Sequence, residues 1–205
     1  MPIINIHCSS LIILLSLQSQ LRKLMDLLKN IILVIISPRV GWEEINQATI
    51  PTGRVLGSAF YPLLALLAVS SFVPGLYDST LTLSALLMNA ITLFAAYFFT
   101  YFISSYLLGG FYPELVKTKG AQERLDDYIL YNLILLVLLR IIHNVLPGDF
   151  TPVLFLMLYM PWMAYRGVAN LGIKEEKSAK FVVIASCLLL LTPFAIELLL
   201  GLIIK

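Results

Sequence analysis

Between Asp78 and Glu114 the chain carries no charged side chain. A bilayer core about 30 Å thick needs roughly 20 apolar residues of helix, because backbone groups in hydrocarbon must bond within their own segment. Residues 81–108 meet that requirement with some to spare, an excess that tilt or a kink absorbs. Four more charge-poor stretches obey the same rule. They are 55–73, interrupted by Pro62 and closed by Val73-Pro74-Gly75; 128–146, ending at Pro147-Gly148-Asp149; 150–170, with Pro152 and Pro161; and 181–204. The 150–170 stretch reaches full length only by running through Arg166. The pattern predicts an all-α, polytopic integral membrane protein. Five transmembrane helices, within a domain over 54–205, are preceded by a short interfacial helix.

Composition narrows the function classes. Hydrophobic residues make up 60% of the 205 and charged ones 13%, against about 25% charged in an average soluble domain. The mean hydropathy is +0.91. A net charge of +2 gives no footprint for nucleic acid. Cys8 and Cys187 are too few for a disulfide framework or a thiolate metal site. Cys187, mid-way along an apolar run, reads as a small buried side chain. Neither His-Glu-x-x-His, Gly-x-Ser-x-Gly, a phosphate-cradling loop nor Gly-x-Gly-x-x-Gly occurs. With two histidines in the chain, the expectation is no enzyme, no cofactor and no metal.

Orientation follows from the basic residues, which concentrate in short cytoplasmic loops. Arg22, Lys23, Lys29, Arg39 and Arg54 precede the first span, Lys117, Lys119 and Arg124 lie between the second and third, and Arg166, Lys174, Lys177 and Lys180 between the fourth and fifth. The turns on the other side, 74–80 and 144–149, contain no Lys or Arg. Five spans then place the N-terminus in the cytoplasm and Lys205 outside.

Residues 1–24 read as a leader apart from the fold. Leu11–Leu17 is too short to cross, and no Lys or Arg precedes it as in a secretory signal. Starts at Met1 and at Met25 both fit. Residues 25–53 read as a cytoplasmic or interfacial segment, with Leu27–Ile36 too short to span and Ser37-Pro38 suited to cap a new helix. Pro38, Trp42, Glu43, Glu44 and Ile45 then make an interfacial anchor with Trp42 among the headgroups, or alternatively a docking surface for a partner.

Three ionisable groups fall inside spans: Arg140, His143 and Glu197. Such groups are costly in lipid and pair or function. Arg140 precedes Pro147 by seven residues and Glu197 precedes Lys205 by eight, which puts both about 10–12 Å below the outer helix ends. The matched depths predict an interhelical Arg140–Glu197 pair, with His143 on the same face as Arg140. Glu123, Arg124, Asp126 and Asp127 read as solvated charge and helix N-terminal acids rather than a divalent-ion site. Gly53-x-x-x-Gly57 has dimer-motif spacing but straddles the boundary. Tyr97, Tyr101, Tyr106, Tyr112, Tyr128, Tyr159, Trp162 and Tyr165 read mostly as interfacial belts.

Several segments together resemble the Yip family, the Ypt-interacting proteins, in its bacterial form. They are Pro38-x-x-x-Trp42-x-x-Ile45, the lead Glu123-Arg124-Leu125-Asp126-Asp127-Tyr128 with its Pro147 exit, Tyr159–Gly167 (YMPWMAYRG), and Lys177-Ser178-Ala179-Lys180. The resemblance runs from about Ile31 to the C-terminus. Where many relatives place a Thr-Pro pair, this chain has Tyr131-Asn132-Leu133. The resemblance implies a five-span bacterial inner-membrane protein with a cytoplasmic N-terminus, whose partners are the lipid bilayer and a second membrane protein or copy of itself. The alternative is a small transporter or channel using Arg140, His143 and Glu197.

Overall fold

The structure, a computed structural model, describes residues 25–47, 50–117, 119–147 and 152–203, with Gln18 and Arg22 as isolated positions. The leader reading of 1–24 and the turn at Gly148-Asp149 lie outside the described residues, which fold into helices throughout. In chain order these are α1 (25–36), α2 (Pro38–Gln47), α3 (Thr52–Val55), α4 (Tyr61–Ser70), α5 (Leu83–Phe111), α6 (Lys119–Val145), α7 (Pro152–Leu156), α8 (Tyr159–Gly167) and α9 (Glu175–Ile203).

Four helical elements are long and apolar enough to cross a membrane: Thr52–Leu76, Leu83–Phe111, Lys119–Val145 and Glu175–Ile203. The first is composite, and Pro62 is the reason. Proline lacks the N–H that would bond the carbonyl four residues back, and its ring crowds that carbonyl. The backbone widens into a π turn over Leu56–Phe60 just before α4, so the helix passes the proline without ending. α5 starts where Thr82 Oγ1 accepts from the Ala85 N–H at 3.2 Å, an N-cap. α9 opens on Glu175-Glu176, acids suited to the positive end of a helix dipole. Gly172, at φ 70°, makes the left-handed turn that leads into it, where a Cβ would be strained.

The expected crossing over 150–170 is not one long helix. α7 and α8 are separate short helices, joined by three-residue bonds from the Leu158 N–H to Phe155 O and from the Met160 N–H to Met157 O, both 3.1 Å. A 3₁₀ turn, Val168–Leu171, extends α8. Pro161 falls in the first turn of α8, where its missing N–H removes no bond.

α6 is the centre of the bundle. Of its apolar window 67% is buried, against 39%, 33% and 28% for the other long elements. α4, α5, α7 and α8 pack around it, and α5 runs along α9. The outer helices turn Leu66, Val69, Leu87, Ile91, Val183 and Leu198 away from the bundle. Water would disfavour such a surface; hydrocarbon solvates it. Cys187 belongs to the same outward surface, so the expectation that it is buried is corrected. In lipid an apolar run does not report which of its residues face protein.

Contacts set the register of the two ends. At one, Thr52 Oγ1 donates to Glu123 O at 3.4 Å, and Lys177 reaches Glu114 at 3.6 Å. This end gathers the starts of α3, α6 and α9 and the end of α5, and with them Arg54, Lys117, Lys119, Arg124 and Lys177. It is called the basic end below.

The segment expected to lie alone among headgroups is a helical hairpin docked on the bundle. α1 and α2 fold back at Ser37, whose carbonyl accepts the Gly41 N–H at 2.9 Å. Leu27, Ile31 and Val34 enter the core, and Lys29 meets Glu44 at 2.8 Å across the open end. That hydrogen bond raises the pKa of Lys29. Gly41 lets the two helices touch: a Cβ there would fall 2.5 Å from Val34 backbone atoms, which cannot swing aside. Gly41→Ala is therefore expected to destabilise the protein by about 1–3 kcal/mol, read as a lower midpoint of reversible unfolding in mixed micelles. An unchanged midpoint would show that the hairpin is not packed this way.

Candidate functional site

Two polar constructions distinguish this bundle from a simple apolar one. The first joins the central helix α6 to the outer helix α9 through a pair of charges. Arg140 Nη2, from α6, donates to Glu197 Oε2, from α9, at 3.0 Å, and the side chains are only 17% and 21% exposed. Tyr97, buried on α5, lies close enough to interact with both charges. His143 is half-buried one turn further along α6. One turn beyond Arg140, Asn144 Nδ2 donates to Ser70 Oγ at 3.0 Å, and Ser70 Oγ donates to Leu67 O at 2.7 Å. α6 is thus tied to α9 and α4 by polar contacts at neighbouring depths. The Asn144–Ser70 link was not foreseen, because Asn144 reads in sequence as part of a turn.

The second construction holds α2 against the basic end of the bundle. Trp42 is 3% exposed. Its ring stacks on Tyr128 at 5.7 Å and meets Tyr131 edge-on at 5.9 Å. Its Nε1 donates to Met163 O at 3.0 Å, while its own carbonyl accepts from Asn170 Nδ2 at 3.0 Å. Gly167 makes room, since a Cβ there would sit 2.6 Å from the indole. Tyr159 Oη adds a bond to Ile35 O at 2.8 Å. Trp42 is therefore neither a headgroup anchor nor an exposed docking residue, a correction to both readings. Pro38 is also buried, and Ile45 packs partly against the core. Glu43 stays exposed with Arg39 at 3.7 Å, and Glu44 pairs with Lys29.

The tyrosines divide similarly. Tyr97, Tyr101, Tyr112 and Tyr128 are core residues rather than parts of a belt, whereas Tyr106, Trp162 and Tyr165 face outward. Trp162 carries the Arg166 guanidinium 4.4 Å above its ring. Nor are the acids of α6 loop charge. Glu123, Asp126 and Asp127 stand inside the helix, and Asp126 Oδ1 accepts from Ser105 at 2.6 Å. Gly53 and Gly57 meet nothing within 4 Å of a Cβ position, so their face is open. Among the described residues no three His, Cys, Asp or Glu converge on a common point.

A family model described as the Yip1 domain matches residues 32–196. The chain belongs to the Yip1 domain family. No curated protein and no solved structure matches it. The Yip1 domain takes in all of α2, so the Trp42 clasp is internal to the domain and not an appendage before it. It also contains Arg140, while Glu197 stands one residue past the matched range.

Proposed function

We propose that this protein is a non-enzymatic scaffold of the bacterial cytoplasmic membrane, acting by helix-mediated association with another membrane protein or with itself. The observation that supports this reading is the direction of its intramembrane charges. Arg140 and Glu197 are spent on each other across a helix interface, leaving the outward faces apolar and suited to contact with other helices. In this reading α7, α8 and the following 3₁₀ turn together make the fifth crossing, the basic end is cytoplasmic, and the C-terminus is outside. The α1–α2 hairpin would be the cytoplasmic element that partners meet, through its exposed Arg39 and Glu43 and not through Trp42.

Two measurements test it. A reporter fused after Lys205 is expected to be active only outside the cytoplasm; cytoplasmic activity would reverse the topology. For association, full-length protein labelled for energy transfer is reconstituted in liposomes at rising lipid-to-protein ratio. A transfer signal that persists on dilution, alone or only with a co-reconstituted membrane partner, supports scaffolding. Its absence, together with solute or proton flux abolished by Glu197→Gln, would favour the transporter reading instead.

A further inference from the structure

At the basic end, α2, α6 and the Val168–Leu171 turn enclose a cavity of about 480 Å³. Trp42, Glu123, Arg124, Asp127, Tyr128 and Asn170 supply its polar and aromatic lining, with Ile45, Ile50 and Leu171 at its apolar edge. Its size is that of a small-molecule site. Asp127 and Tyr128, both in its lining, each carry a polar atom, Oδ1 and Oη, that is buried and lacks a hydrogen-bond partner among the described residues. Tyr128 is 1% exposed. Buried polar groups left unpaired are costly, and beside a cavity a water or a ligand can pair them.

The lining selects the chemistry. Two carboxylates against one guanidinium leave a net negative charge, so a simple anion is disfavoured. Among the described residues no ion pair joins Arg124 to either acid. A divalent metal held mainly by side chains would want a third carboxylate, His or Cys beside these two, and among the described residues no three such groups converge. A primary ammonium carries one positive charge and three N–H donors, which suit Asp127 Oδ1, Tyr128 Oη and a further acceptor. The Trp42 and Tyr128 rings favour a cation beside them. Arg124 is then free for a phosphate a few bonds away.

We propose that this cavity binds a phosphoethanolamine group, ammonium toward Asp127 and Tyr128 and phosphate toward Arg124. The group can come from an ethanolamine phospholipid of the adjoining leaflet or from the free phosphomonoester. The test uses Trp42 as its own reporter. In full-length Trp162→Phe protein it is the one tryptophan left. The protein is placed in phosphatidylcholine nanodiscs and titrated with soluble phosphoethanolamine; in a second arm the nanodiscs carry rising fractions of phosphatidylethanolamine.

A saturable change in Trp42 emission is expected in at least one arm. Response to the lipid alone identifies the leaflet as source, and response to the soluble compound identifies the free form. Asp127→Asn is expected to weaken the midpoint at least tenfold and Tyr128→Phe severalfold. Asp126→Asn, whose carboxylate is held by Ser105, is expected to change it less than twofold. Glu123→Gln, exposed and easily tolerated, gives a second charge-removing variant should Asp127→Asn misfold, and is also expected to weaken the response. No saturable change in either arm, an equal response to phosphocholine, or midpoints indifferent to both Asp127→Asn and Glu123→Gln would overturn the proposal.

Discussion

Trp42→Ala is expected to cost about 3–5 kcal/mol of stability, the range for emptying a buried indole site, and to release the α1–α2 hairpin from the bundle. Three separate attachments go at once: the ring contacts with Tyr128 and Tyr131, the bond to Met163 O, and the pocket that Gly167 holds open. Trp42→Phe separates them. It keeps most of the ring and leaves Met163 O without its donor, so a loss of about 1–2 kcal/mol is expected. Reversible unfolding in mixed micelles measures both. Proteolysis adds a second readout, because a released hairpin exposes the 25–47 backbone. A headgroup anchor would behave otherwise: Trp42→Ala would leave the midpoint unchanged and alter only partition at the membrane surface.

Breaking the Arg140–Glu197 pair is expected to have an effect of similar size. Arg140→Leu leaves a carboxylate at lipid depth without its counter-charge, and Glu197→Leu leaves a guanidinium. Each is expected to destabilise the bundle by about 3–5 kcal/mol. The double replacement removes both charges and keeps apolar volume, so it is expected to return to within about 1 kcal/mol of the parent. Recovery in this cycle marks a contact whose role is helix packing. Additive losses would mean that the two groups act on separate partners.

Much of this architecture was legible because hydrocarbon imposes rules that side-chain identity obeys openly. Charge gaps marked the apolar parts of the four long elements, since an unpaired Lys or Asp there would be expensive, but they missed the charged opening turns of α6 and α9, which begin nine and six residues earlier than the gaps do. Arg140 and Glu197 could be matched by depth, because two opposite charges at the same level of neighbouring helices have few other solutions. Inner and outer faces were far less legible. In α4, α5 and α9 both faces are apolar, so Leu93 at the core and Leu198 toward lipid look alike in sequence, and Cys187 was placed on the wrong side. Trp42 was misread for a related reason. Its neighbours Arg39, Glu43 and Glu44 are polar and a helix break precedes it, features shared by interfacial tryptophans. Its burial depends instead on Gly167, Asn170 and Tyr128, all far away along the chain, and Gly167, where a Cβ would meet the indole, carries no mark in the sequence that points to Trp42. The 150–170 region failed as one helix because hydropathy does not reveal the joint at Met157-Leu158.

The separation of Arg140 from Glu197 along the chain bears on how the molecule is made. Ribosomes deliver α6 well before α9, so every nascent chain passes through an interval in which a guanidinium sits at lipid depth with its counter-ion not yet synthesised. During that interval α6 must be retained by the insertion machinery or lean on α4 through Asn144 and Ser70. Chains that terminate before Glu197 never acquire that counter-ion, so they are expected to be less stable in the membrane than the full-length protein.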